Sequence, residues 1–477
     1  MEKKSEVYIS TSKLAKLINY SSPELFTKLN LNKWIIKEDK NWLLLEKGKK
    51  AGGTYGGNDK GEQWIIWNSS IVKNKDFKRE ILGEEITLVQ RKFKLPGIDD
   101  LNKSQDRVLR LPEDGQFLVV GGPGTGKSVV ALLRTMKYHK KEDYAFLTFN
   151  KVLLSATKQL VNFDLNSFTL DSWLRKEYCT LFENYCKEYA YKTPPELHYN
   201  TRDYDKVINS LEKKNIQEQT LKIIVDEGQD KPAKYYEALM CLGIENFFIV
   251  ADQNQQITEE NSSRQELTDL LGLDVDEVIE LTENFRNSHS IGLFAEYFFT
   301  DPSSPKPQLP SASKPSLGTP TLFEYTHYES CVKLILREAD RDNRNLIGVV
   351  VANEGIRDSY VKSLESVDLN LDNPRPIIST YSSKDKQNPN INFGYGGVVV
   401  LNDKAIKGLE FDIVFIIIDG FKIYNNDIDS IKKRFYVMSS RAIKKLVLFK
   451  SNKYSGGVDK ILPSDKEILK REILPNG

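Results

Sequence analysis

The chain has 477 residues, 40% of them hydrophobic, with a formal net charge of +1. That length and apolar content suit about three packed domains, and the near-neutral total neither implies nor excludes a nucleic-acid partner, because basic residues can be grouped on one surface. Four cysteines (Cys179, Cys186, Cys241, Cys331) without a C-x-x-C pair and four scattered histidines leave no legible zinc site or disulfide framework. The opening "MEKKSEVYIS" has no apolar run behind it and no stretch reaches about 18 apolar residues, so neither a signal peptide nor a membrane span is expected, and the expected location is the cytoplasm.

In chain order, residues 1–92 come first and differ in composition from the rest. Four of the five tryptophans (Trp34, Trp42, Trp64, Trp67) lie there, and residues 1–80 hold 16 Lys+Arg against 10 Asp+Glu. "STSKLAKLINYSSPELFTKLNLNKWI" predicts two short helices. Leu14, Leu17 and Ile18 share a face of the first, and Leu25, Phe26 and Leu29 form the apolar face of the second. Ser22 is expected to cap the second helix, with Pro23 in its first turn. "WIIKEDKNWLLLEKGKK" then reads as a β-hairpin and "GEQWIIWNSSIV" as another strand. Two helices followed by a hairpin resemble a winged-helix module. Such a module contacts nucleic acid or docks a protein, and Lys28, Lys33, Lys37 and Lys40 are the candidate phosphate contacts. The tryptophans are expected to build the small core.

Next comes "QFLVVGGPGTGKSVVALLRTMKYH", read as a strand (Phe117 to Val120), a glycine-rich turn and a helix from about Lys127. The turn matches G-x-x-x-x-G-K-[ST] at Gly121, Gly126, Lys127 and Ser128, with Gly122, Pro123, Gly124 and Thr125 between them. Glycines let backbone N–H groups fold around phosphate oxygens, and the helix N-terminus adds partial positive charge. Lys127 is expected to reach the β and γ phosphates of ATP, and Ser128 to ligate Mg²⁺. About a hundred residues on, "IIVDEGQD" runs three β-branched residues into Asp226, Glu227 and Asp230. Adjacent carboxylates at a buried strand end repel one another unless a cation sits beside them. Asp226 is therefore expected to hold Mg²⁺ through water, and Glu227 to polarise the attacking water.

Further segments match, in order over about residues 98–450, the motifs of superfamily 1 helicases of the UvrD/PcrA type. "LNKSQDRVLRL" resembles the Q motif, which implies that Gln105 reads adenine. "AFLTFNKVLL" resembles the motif that touches single-stranded DNA, through Phe149 and Asn150. "FFIVADQNQQI" resembles the third motif, with Gln255 as γ-phosphate sensor. "LTENFRNSHSI" resembles the N-[YF]-R segment, in which Phe285 stacks on adenine and Arg286 contacts the γ-phosphate. "IKGLEFDIVFIII" places Gly408 near the nucleotide and Glu410 on the ribose, and "RFYVMSSRAIKKLVLF" makes Arg441 an arginine finger. The resemblance implies an α/β chain with two RecA-like P-loop NTPase domains, parallel sheets flanked by helices, at 96–300 and 321–477. The Pro/Ser-rich segment 301–320 would be an exposed connector, and 1–92 the small α+β winged-helix-like module.

The resemblance also implies an ATP-dependent hydrolase that translocates on single-stranded DNA, 3′ to 5′, a reading that suits anti-phage defence or DNA repair. RNA or structured DNA as the track, or an ATP-driven switch gating a partner such as a nuclease, are the alternatives. The chain departs from the family in four places. The first insertion, about 174–222, is small, and the second is nearly absent, leaving "LNLDNPRPIISTYSSKDKQNPNINFGYGG" as loop with about one strand. "ITEENSS" stands where an aromatic usually follows the third motif, and Asn402 and Lys404 replace the usual Thr-x-His, with Lys404 still able to meet a phosphate.

Overall fold

The computed structural model describes residues 8–475, apart from 19, 40, 59–60, 83–88, 92–95, 139–142, 162, 190–192, 257–260, 304, 313–315 and 385–387. The chain divides into two compact units, Met1–Leu88 with Lys362–Pro374, and Val89–Val361 with Arg375–Gly477.

In the first unit the two expected helices form at Thr11–Leu17 and Ser22–Leu31. The second is capped one residue earlier than expected, by Ser21, whose hydroxyl accepts from the Glu24 N–H at 3.3 Å. Leu14, Leu25 and Leu29 are fully buried, but Leu17 is 59% exposed, because the short first helix turns only one narrow stripe inward. Strand β1 (Tyr8–Ser10) precedes these helices, and β2 (Ile35–Glu38) and β3 (Asn41–Leu44) follow as the expected hairpin. The hairpin ends earlier than expected: Glu46–Lys50 is helical.

Strands β4 (Gly53–Gly57) and β5 (Gln63–Asn68) join β1 in a separate antiparallel sheet of order β1-β5-β4. The order helix, helix, hairpin is therefore present, and β5 is the further strand expected in "GEQWIIWNSSIV", while β1 and β4 are strands that the sequence pattern did not mark. Trp34 and Trp67 are fully buried, with their indole N–H groups bonded to Glu80 (2.8 Å) and Thr11 (2.9 Å). Trp42 is partly buried and Trp64 is 42% exposed, so only half of the tryptophans form the core. Lys28 is engaged in the fold, donating to the Tyr20 hydroxyl and the Ile81 carbonyl. Lys40 lies outside the described residues.

The second unit holds two fully parallel sheets. The first comprises β6 (Gln116–Gly121), β7 (Tyr144–Thr148), β8 (Ser167–Thr169), β9 (Gln219–Val225), β10 (Ile244–Ala251) and β11 (Ile279–Leu281), in the order β11-β6-β10-β9-β7-β8. Its strands are apolar on both faces, as a sheet covered on both sides requires. Leu118, Val120, Ile223, Val225 and Ile249 feed one core, and Val119, Phe146, Ile224, Phe248 and Val250 feed the other. Helices Leu170–Leu181 and Tyr204–Glu212 pack on the former, and helix Lys127–Tyr138 on the latter. The expected small insertion carries helices Glu183–Glu188 and Tyr204–Glu212 among its described residues, and its buried Glu196 accepts from the hydroxyls of Tyr178 and Tyr185, both at 3.0 Å.

The second sheet comprises β12 (Thr321–Tyr325), β13 (Leu346–Val351), β14 (Ile378–Thr380), β15 (Gly397–Asn402), β16 (Phe411–Ile417), β17 (Ala442–Ser451) and β18 (Lys470–Ile473), in the order β14-β15-β13-β16-β17-β12-β18. Among the described residues of the segment where the second insertion is reduced, β14 is a strand. Helix His289–Glu296 packs its Ile291 and Phe294 into the core of this second sheet, to which Val152 and Leu153 from the helix after β7 also contribute. The connector is mostly exposed among its described residues but is not free. The Gln308 N–H bonds the Thr282 carbonyl at 2.7 Å, and the Leu317 N–H bonds the Lys444 carbonyl at 3.0 Å. This mixed α/β architecture is compatible with the two RecA-like domains that the resemblance implies.

Candidate phosphate and carboxylate site

Strand β6 ends in the glycine loop, and helix Lys127–Tyr138 starts where the pattern places it. Gly124 and Gly126 have φ of +75° and +86°, in the left-handed region. A Cβ there would lie 2.3 Å from Asn284 Oδ1 and from Gln105 Nε2 respectively, so the loop tolerates no side chain at either place. The Gln105 amide is tied at both ends. It donates to the Thr125 carbonyl at 3.0 Å and accepts from the Asn102 N–H at 3.1 Å, closing a capping box. Pro307 of the connector packs against Gly122.

Lys127 is buried and donates to the carbonyls of Gly121 (2.7 Å) and Gly122 (2.8 Å). Burial pushes its ammonium pKa down, opposed by the charges of Asp252, Glu227 and Asp226. The Ser128 hydroxyl donates to Asp226 Oδ1 at 3.1 Å, while Asp226 Oδ2 is buried without a hydrogen-bond partner. Burial, then repulsion from Glu227, raise the Asp226 carboxyl to about 6.

Glu227 itself sits at φ +62°, a conformation that a non-glycine residue holds only when its surroundings enforce it. Its carboxylate accepts from the Gln229 amide at 2.7 Å. Burial alone would raise its pKa, but the cations of Lys407, Lys127 and Arg441 outweigh burial and hold it below the usual range. A buried carboxylate oxygen without a donor, beside a serine hydroxyl and an ammonium, could hold a divalent cation and a phosphate, so the residues present are chemically able to take Mg²⁺ and a nucleoside triphosphate.

The second sheet faces this site. Arg441, immediately before β17, is fully buried and donates to the Gln255 side-chain oxygen, whose amide in turn donates to Asp252 at 2.6 Å. Arg286 pairs with Glu410 at 2.7 Å, so two residues expected on the nucleotide hold each other here. Phe285 is 49% exposed, and its N–H bonds the Gly124 carbonyl at 2.8 Å. Gly408 has φ +76° and abuts Leu153.

Of the expected nucleic-acid contacts, Lys404 is exposed and Phe149 half-buried. The Asn150 side chain caps helix Lys151–Leu160 through the Leu153 N–H at 2.8 Å. Of "ITEENSS" after the third motif, 257–260 lie outside the described residues, and Ser263 caps helix Arg264–Leu270.

Sequence reasoning gave no role to Lys407, Asp230 or Asp252. Lys407 is fully buried and reaches from the loop before β16 to Asp230, at 2.6 and 2.8 Å, and to the Gln255 carbonyl. Asp230 stands in the acidic segment that drew attention, but its partner lies 177 positions away. The one available signal was a lysine enclosed by apolar runs in "AIKGLEFDIVF".

No family model matches the sequence, and no curated protein matches it. Among solved structures, the C-terminal domain of a possible DNA helicase from Lactobacillus plantarum WCFS1 aligns at 13% identity. The alignment covers 39% of this chain and 98% of that one, with a TM-score of 0.27.

Proposed function

We propose that this chain is a nucleic-acid-dependent ATP hydrolase of the UvrD-like helicase class, acting with Mg²⁺ in the cleft between its two parallel sheets. One observation carries the reading. Lys127, Ser128 and the half-unpartnered Asp226 converge at the ends of β6 and β9, with Arg441 reaching in from the other sheet. Loop N–H groups and Lys127 hold the phosphates, and Ser128 and Asp226 hold Mg²⁺, which when bound neutralises charge on the phosphate oxygens. Glu227 orients the attacking water. Arg286 and Arg441 exchange their present partners, Glu410 and Gln255, for the transferring phosphoryl group, which requires the halves to rearrange during turnover. That rearrangement is the physical basis for translocation on a single strand, with 3′ to 5′ polarity as the finer part of the reading. The N-terminal unit is read as a winged-helix-like contact module.

Steady-state ATP hydrolysis with no nucleic acid, single-stranded DNA, duplex DNA and single-stranded RNA tests the proposal. Lys127→Ala should cut turnover by about a hundredfold or more. Wild-type turnover in that variant would sink the site assignment. Equal rates in all four conditions would favour a switch that gates a protein partner.

A further inference from the structure

The chain passes between its two compact units at three places, 88–89, 361–362 and 374–375. Each passage leads into the half built on the second sheet. At 361–362 it runs inside one continuous helix, Glu354–Ser366, which follows β13. After 374 the chain enters β14, the edge strand of that sheet. The passage at 88–89 is the unexpected one, because in sequence it directly precedes the first half.

Val89–Arg91 bonds into the second half instead. The Arg91 N–H donates to the Gly394 carbonyl at 2.8 Å, the Gly396 N–H donates to the Val89 carbonyl at 3.0 Å, and Gln90 faces Tyr395 in an antiparallel bridge. The Arg91 guanidinium then reaches Asp412 of β16 at 2.7 Å, with both side chains buried. Lys444 of β17 at 2.9 Å and the Leu346 N–H of β13 at 3.0 Å also bond that carboxylate. Burial alone would raise the Asp412 carboxyl, but Arg91, Lys444 and the Leu346 N–H hold it below the usual range. Withdrawing Arg91 would leave buried charge short of its partner, so the attachment is firm. Beyond it the chain crosses to the first half, where Asn102 caps helix Lys103–Leu109. Gly97–Asp100 on that crossing are exposed. The fixed end therefore lies on the second half, and the slack lies on the way to the first.

We infer that the N-terminal unit is carried by the second half, with Arg91 as the pin, so that each ATP-driven rearrangement displaces this unit, and whatever it holds, against the first half. The inference rests on the reading of the two halves as an ATP-driven pair.

The test uses the full chain with dyes introduced at exposed positions, Leu17 in the N-terminal unit, Tyr199 in the first half and Tyr424 in the second, taken two at a time. Energy transfer is read without nucleotide, and with Mg²⁺, ADP–aluminium fluoride and oligothymidylate. The Tyr199–Tyr424 and Leu17–Tyr199 pairs should both shift, while Leu17–Tyr424 stays within its nucleotide-free spread. A shift in Leu17–Tyr424 overturns the inference, and so does an unmoved Leu17–Tyr199 pair when Tyr199–Tyr424 moves.

Arg91→Met keeps most of the side chain's bulk and removes the cation. It should widen the Leu17–Tyr424 spread and speed exchange of the Gly396 amide by about tenfold or more, with Lys127-dependent turnover within about twofold of wild type. An unchanged spread and exchange rate overturn the role of Arg91. If Arg91→Met does not fold, Asp412→Asn is read in the same way. A Tyr199–Tyr424 pair that never moves removes the rearrangement from the proposed function, and the spread in Arg91→Met then decides the attachment by itself.

Discussion

At the scale of single residues, Asp226 is the group whose protonation is most exposed to test. Its carboxyl is raised to about 6 by burial and by Glu227. Between its unfolded value near 4 and that raised value, the folded chain holds a proton that the unfolded chain has released. Stability from this group is therefore full below about pH 4 and is lost as pH rises through 6. Without divalent cations, Asp226→Asn should raise stability at about pH 8 by on the order of 2 kcal/mol, and by much less at about pH 5. Thermal melts in chelator at the two pH values measure this, and equal effects would refute it. Mg²⁺ should stabilise the wild type at the higher pH and leave the variant unmoved, because the cation relieves the repulsion that the amide has already removed.

At the scale of elements, the segment after β7 illustrates how one side chain is committed. Asn150 spends its carbonyl oxygen on the first turn of helix Lys151–Leu160. Its removal in Asn150→Ala should cost about 1 kcal/mol of stability, the usual worth of an N-cap, seen as a lower denaturation midpoint. Strand affinity that falls far more than stability would mean that Asn150 also contacts nucleic acid directly. Helix caps were only partly legible in sequence. In "YSSPEL" the cap was expected at Ser22, and the structure caps at Ser21, whose hydroxyl accepts from the Glu24 N–H. The hairpin at 34–50 was legible, as far as Leu44, from its polar turn between two apolar runs. The following "EKGKK" is a helix, and Gly48 within it lies so close to the Trp34 carbonyl and Leu44 that no side chain fits, a tertiary contact that local pattern does not carry.

At the scale of the whole molecule, the N-terminal unit has its own core around Trp34, Trp67 and Phe77. Trp34→Ala should cost that unit about 3–5 kcal/mol. Thermal unfolding of the variant should show an early transition, while Lys127-dependent turnover survives it. A single transition with loss of turnover would show the two units to be energetically one. What the sequence determined alone was whatever is written within one strand, turn and helix. This covers the glycine loop from Gly121 to Ser128 and the acidic end of β9, because each is a local pattern with a local physical cause. What only the tertiary structure decided was pairing across long stretches of chain. Lys407 with Asp230, Arg286 with Glu410, Arg441 with Gln255, and the helix after Ser288 with the second sheet are examples. Burial lets a charge persist only beside its partner, and that partner is chosen by packing rather than by proximity in sequence.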